Sequence, residues 1–280
     1  MKKNAALTDS IRKFEKLYAN MSVLARLQSL LNDYNADMDE AERIILTDGN
    51  LTAQVIKISN SVLYRRWEKA TTLSTAVQTV GFKQILKLVG MALSKQVFLK
   101  DLDAYGVSAD DFWYSGYFSA LFLVLQGRYH GENEDEAYLT GLLHGVGKVV
   151  INELLRENEV EIYWDESIPS EDWENLMIGF GYDHAGALIL DAWKFPKSIV
   201  HRVENQTKSE KIQSDPLLGA LDYARTFLSR NIPGMPPETM DFCLSHPYLH
   251  QYEVDPATLK REINEVIADI AQVRETLASL

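Results

Sequence analysis

The stretch LTGLLHGVGKVVI, residues 139–151, sets an imidazole, His144, one helical turn before an ammonium, Lys148. Imidazole and carboxylate together can hold a divalent ion, and the ion acidifies a bound water for attack on a phosphoester. The residue after His144 is Gly145, which ligates nothing. A second site for such chemistry is Asp183-His184, a carboxylate and an imidazole side by side. There the expectation is structural: Asp183 caps a helix running to Ala192, with His184 packed behind it. His201 reads as a surface residue, and His246 and His250 fall in a proline-rich loop without a constellation. The acidic run GENEDEA, 131–137, suits a helix N-terminus better than a metal box. Cys243 is the single cysteine, so neither an internal disulfide nor a thiolate zinc site can form.

These residues ride on a chain that is patterned for helix almost throughout. Apolar residues recur at helical spacing in Leu24, Leu27, Leu30 and Leu31, then in Ala41, Ile44 and Ile45, then in Leu51, Val55 and Ile58. Asn50 is expected to cap the helix after Asp48-Gly49. Ser74 is expected to cap the next, which Gly81 ends in a tight helix–turn–helix with Phe82–Val89. Ser108 with Asp111 forms a capping box for DFWYSGYFSALFLVLQG, which is apolar nearly all round and therefore buried. The glycines 141, 145 and 147 permit close helix packing around His144. Residues 231–256 hold five of the eight prolines and read as loop. Asp255-Pro256 opens a last helix in which Leu259, Ile263, Val266, Ile270, Val273 and Leu277 step by four and three. That seam docks on its own body, pairs with another chain in a possible homodimer through Leu259–Leu277, or binds a partner.

The chain has 280 residues, 46% of them apolar, and a net charge of −12 from 28 basic and 40 acidic residues. That length supports a sizeable core, and the acidic balance disfavours non-specific nucleic-acid binding. A DNA-reading use of residues 74–89 would rest on Lys83, Gln84 and Lys87, a thin basic footprint. Arg65, Arg66 and Lys69 around Trp67 form the densest basic patch. The N-terminus lacks the apolar core of a signal peptide, and the longest apolar run, Ala120–Leu125, is far short of a membrane span. The expectation is a cytoplasmic protein, and a bacterial one on the family resemblance that follows.

The order LTAQVIKISNSVLY, then TLSTAVQTVGFKQILKLV, then FWYSGYFSA, AYLTGLLHGVGKVVI, GYDHAGALILDAWKFPKSIV and GALDYARTF resembles HDOD domains, the HD-related output domains, over residues 18–230. The resemblance implies an all-α, HD-like fold with two helical subdomains, 18–104 and 105–230. An N-terminal helical extension, 1–17, precedes them. A proline-rich loop and C-terminal amphipathic helix, 231–280, follow. In the related phosphohydrolases a His, an adjacent His-Asp pair and a later Asp hold the metal, and a Lys after the pair helps neutralise phosphate. Carried over, the first His falls on Ser115, the pair on His144 and Gly145, the later Asp on Asp222 and the Lys on Lys148. Glu204 and Asn205 stand where a further His pair occurs in many such enzymes. Two of four ligands remain, whereas a catalytic metal normally takes at least three from the protein.

Three functions follow. The expected one is a non-catalytic signalling module acting through a protein partner or a vestigial pocket, with no cofactor and His144 as a buried core histidine. The alternative is a metal-dependent phosphohydrolase with a rearranged site using His144, Asp222, Lys148 and Asp183 or His184. A helix–turn–helix DNA binder ranks last.

Overall fold

Short polar side chains cap seven of the helices: Asp37, Asp48, Thr72, Ser108, Asn133, Asp215 and Asp255 each accept a first-turn amide. The computed structural model describes residues 2–33, 37–61, 69–98, 100–165, 167–231 and 237–278; of residues 2–7, 82, 83, 237 and 276–278 it describes the backbone alone. The first half comprises α1 (Lys2–Leu17), α2 (Met21–Leu31), α3 (Met38–Leu46), α4 (Gly49–Ser59), α5 (Leu73–Val80) and α6 (Phe82–Val97). Asp37 accepts from the Glu40 amide at 2.7 Å and Asp48 from the Leu51 amide at 3.0 Å. The cap of α4 is thus Asp48, and the expected Asn50 already lies inside the first turn. Likewise Thr72, not Ser74, caps α5, because Thr72 and Thr75 satisfy each other's amides in a capping box.

Gly81 makes the expected turn into α6 at φ +92°, a conformation that favours glycine. Yet α6 is a core helix rather than a reading helix: Ile85, Leu86, Leu88 and Val89 are fully buried. Lys87 is half-buried, and burial pushes its pKa down against the opposing fields of Glu134, Asp135 and Asp269. The Lys83 side chain lies outside the described residues, as do Val62–Tyr64, Arg65, Arg66 and Trp67. Before that stretch, the Asn60 carboxamide clasps both the carbonyl and the amide of Ala70 at 2.7 Å.

The second half comprises α7 (Ala109–His130), α8 (Glu134–Leu143), α9 (Val146–Glu157), α10 (Ser170–Met177), α11 (Tyr182–Ala192), α12 (Lys197–Asn205), α13 (Ser209–Ser214), α14 (Pro216–Arg230), α15 (Pro247–Gln251) and α16 (Pro256–Ala278), with 3₁₀ turns at Asp103–Tyr105 and Pro237–Thr239. Among the described residues there is no β-strand, only an isolated bridge between Leu102 and Val107. The fold is all-α, as expected.

α7 is the axis of this half. Its rings, among them Phe118 and Phe122, stack onto Phe227 and Tyr223 of α14, and α8 and α16 cover its other sides. That coverage settles the seam of α16. Leu259, Ile263, Val266, Ile270 and Val273 are all at most 2% exposed within the single chain, so this seam docks on its own body rather than on a second copy; the Leu277 side chain lies outside the described residues. The α1 extension packs on α9 and α11, with the Phe14 and Trp193 rings 5.9 Å apart. One continuous apolar core runs from Ile11 to Val273 through both halves.

Candidate functional site

The His144 segment is not one helix. α8 ends at Leu143 and α9 begins at Val146, with His144 and Gly145 as the joint. α7 runs antiparallel beside it: Ser119 and Ala120 meet Gly141, Gly116 meets Leu142, and Phe112 meets Gly145. This brings Ser115, half-buried, level with the joint. The glycines are steric necessities. A Cβ on Gly141 would lie 2.5 Å from the Ser119 backbone, and one on Gly147 would lie 1.8 Å from the Tyr182 carbonyl oxygen. At Gly145 the neighbour is a side chain: the Phe112 ring tip would lie 2.8 Å from a Cβ.

His144 is buried, and its Nδ1 lies 2.7 Å from the Gly141 carbonyl. A carbonyl only accepts, so Nδ1 carries the proton and Nε2 is the bare nitrogen. Burial pushes its pKa down to about 4, and the charges of Arg225 and Lys148 push the same way against the Gly141 bond. The Gln206 side chain donates to the His144 carbonyl at 2.9 Å.

Lys148 is half-buried, and its ammonium is held by rings rather than by a carboxylate ion pair. Its ammonium sits among three rings, 4.7 Å from the centroid of Tyr182, 5.2 Å from Tyr105 and 5.7 Å from Trp164. Beneath this cage lies Glu174 of α10, fully buried, accepting from the Tyr105 hydroxyl at 2.7 Å and the Tyr182 amide at 2.6 Å. Burial raises the Glu174 carboxyl and lowers Lys148, while the attraction between the two opposes both shifts.

Asp222 is tied to two cationic or protic partners. Its Oδ1 accepts from Arg225 at 3.1 Å, and its Oδ2 lies 3.4 Å from His246 Nε2. Burial pushes its carboxyl up, but His246 and Arg225 outweigh that and hold it below its usual range. Arg225 also donates to the Tyr182 hydroxyl at 2.6 Å and to the Gln206 carbonyl at 2.9 Å. His246 is therefore not an idle loop residue: it meets Asp222 and caps α15 by accepting the Tyr248 amide at 3.3 Å.

Asp183 and His184 lie elsewhere, on the outer face of α11. Asp183 is in the first turn rather than at the cap, which is Gly181; it accepts from the His184 amide and the Thr207 hydroxyl. His184 is exposed, not packed behind it, with Nδ1 3.9 Å from Glu204. With exposed His201 it lines an open groove of about 630 Å³ between α11 and α12.

These residues do not fit a divalent ion. The place where a second ligand would project from residue 145 is filled by the Phe112 ring, and Asp222 already neutralises a guanidinium. Among the described residues no three His, Cys, Asp or Glu side chains stand close enough to share a metal. No helix among them is long and apolar enough to cross a membrane.

The HDOD domain family model matches residues 17–209, a span that stops short of Asp222. An uncharacterized protein of Treponema pallidum (strain Nichols) is 22% identical over 227 residues, 79% of this chain and 43% of that protein; the chain thus spans less than half the length of this curated relative. Three solved structures share the fold at 16–18% identity. A candidate phosphohydrolase from Shewanella amazonensis superposes with a TM-score of 0.70 over 98% of both chains. An HDOD domain protein of unknown function from Geobacter sulfurreducens gives 0.63 over 97% of both. A candidate signal transduction protein from Marinobacter aquaeolei gives 0.68 over 98% of this chain and 64% of that one.

Proposed function

Given that the chain belongs to the HDOD domain family, we propose that it works as a non-catalytic bacterial regulatory module acting through a protein partner. The observation that carries this reading is the state of Asp222, whose carboxylate is committed to Arg225 and His246. A metal ion would have to displace a guanidinium from it, and the remaining donor, His144 Nε2, is one imidazole nitrogen where three protein ligands are the norm. The Shewanella relative's description favours the phosphohydrolase alternative, but fold is a weak warrant for chemistry. The Marinobacter relative's description favours signalling, on the same footing.

The deciding experiment is elemental analysis of chelator-free protein, wild type against His144→Ala, together with hydrolysis of bis(p-nitrophenyl) phosphate in the presence of manganese, iron or zinc. The expected result is sub-stoichiometric metal that the mutation leaves unchanged, and no turnover. Stoichiometric metal lost with His144 would overturn the proposal in favour of the hydrolase.

A further inference from the structure

Between Arg156 and Lys194 the chain runs 37 residues with ten Asp or Glu and no Lys or Arg. Within it, a strap that follows α9 from Asn158 brings residues 159–163 beside the last turns of α9, and α10 follows from Ser170. Large apolar side chains stand out from this strap: Val160 is 43% exposed, Tyr163 67%, Leu176 75% and Met177 45%. Where the strap leaves α9, a groove of about 340 Å³ opens between it and the 3₁₀ turn at Asp103–Tyr105. Its apolar lining comes from Ala104, Leu155, Val160, Ile162 and Tyr163, and three carboxylates, Asp103, Glu159 and Glu161, line it as well. The one cation there, Arg156, is bonded to Glu153. No ion pair among the described residues neutralises Asp103, Glu159 or Glu161. Glu161, Ile162 and Tyr163 also make no backbone hydrogen bond among the described residues, so their amides and carbonyls are left for a visitor.

We propose that this groove is a docking site for an extended, basic segment of a partner protein, with apolar side chains alternating with Lys or Arg. Apolar side chains from the visitor would cover Val160, Ile162 and Tyr163, while its cations meet the carboxylates. The same charge repels nucleic acid and anionic lipid surfaces, which leaves a basic peptide as the complementary occupant. This inference rests on the reading that the chain acts through a protein partner.

The test uses the full chain and a fluorescein-labelled heptapeptide alternating lysine with valine or leucine, with fluorescence anisotropy as the readout at about 0.1 M salt. A glutamate version of the peptide is the first control, and circular dichroism checks that each variant folds. The double variant Glu159→Lys/Glu161→Lys is expected to weaken binding by about tenfold or more. Asp39→Lys/Glu210→Lys, which makes the same net charge change at exposed positions elsewhere, is expected to stay within about twofold. Glu159→Gly removes one rim carboxylate at a position where glycine is the easier fit, so its weaker binding cannot be blamed on misfolding. Equal weakening by the two double variants, or no binding by the wild type, overturns the docking site. Such a failure leaves the metal and turnover results untouched, so the two proposals fall separately.

Discussion

Lowering the pH should remove stability through His144, and the amount follows from its surroundings. In the unfolded chain its imidazole titrates near 6.5; in the fold, burial and two neighbouring cations push it down to about 4. Between those values the unfolded chain binds a proton that the folded chain refuses, so stability rises with pH across the window. The contribution is complete above pH 6.5 and is lost progressively down to pH 4. At 1.36 kcal/mol per pH unit the gap amounts to about 3 kcal/mol. Glu174 acts with the opposite sign: its carboxyl is raised in the fold, so there the folded chain holds the extra proton and stability falls as pH rises. The wild-type profile mixes the two slopes, and the difference between wild type and His144→Gln isolates the first. A glutamine amide can still donate to the Gly141 carbonyl that Nδ1 now serves. Urea unfolding at half-unit steps from pH 4 to 8 measures both proteins. The stability of the wild type relative to the variant should be greatest at pH 7 and fall by about 3 kcal/mol by pH 4. A difference that stays flat within about 0.5 kcal/mol would refute the burial argument, and one that grows on acidification would reverse it.

Other perturbations test the packing around the joint. Gly147→Ala drives a methyl into the Tyr182 carbonyl, backbone against backbone, and should cost upwards of about 3 kcal/mol or abolish soluble expression. Gly145→Ala meets only the tip of the Phe112 ring, which can swing, so its thermal midpoint should drop far less. Arg225→Met leaves the Tyr182 hydroxyl and the Gln206 carbonyl without their donor and Asp222 with His246 alone, and should cost about 1–3 kcal/mol, with Arg225→Met/Asp222→Leu partly restoring the loss in a denaturation series. Glu159 sits at φ +53° just after α9, so Glu159→Gly should raise stability by about 1 kcal/mol by relieving a left-handed side chain; a loss instead would mean that the carboxylate supports the fold.

Element type was plain from the spacing of leucines and isoleucines, because a 3.6-residue period over a long segment has few other causes. The caps were less so. Thr71, Thr72 and Ser74 all have cap chemistry, and the reciprocal bond of Thr72 with Thr75 decides among them only once the chain has turned. The joint at His144-Gly145 escaped periodicity, since apolar residues continue on both sides of it. At the site, the missing carboxylate at residue 145 was readable; the Asp222–Arg225 ion pair is a finding of the structure, with only a three-residue spacing in the sequence as its signal. His246 was not: it lies 24 residues from Asp222 across a proline-rich loop. Phe112 and Glu174 gave no local signal, because a ring filling a ligand's place and a carboxylate under an aromatic cage are tertiary facts.

The covering of α7 by α16 has a consequence for synthesis. The 140 residues between His130 and Ile270 must be translated before the stripe of α7 facing α16 is covered. At a ribosomal pace of roughly 5–20 residues per second, that leaves the stripe bare for roughly 7–28 s. Over that interval the nascent chain presents an uncovered aromatic helix to its surroundings, until α16 arrives.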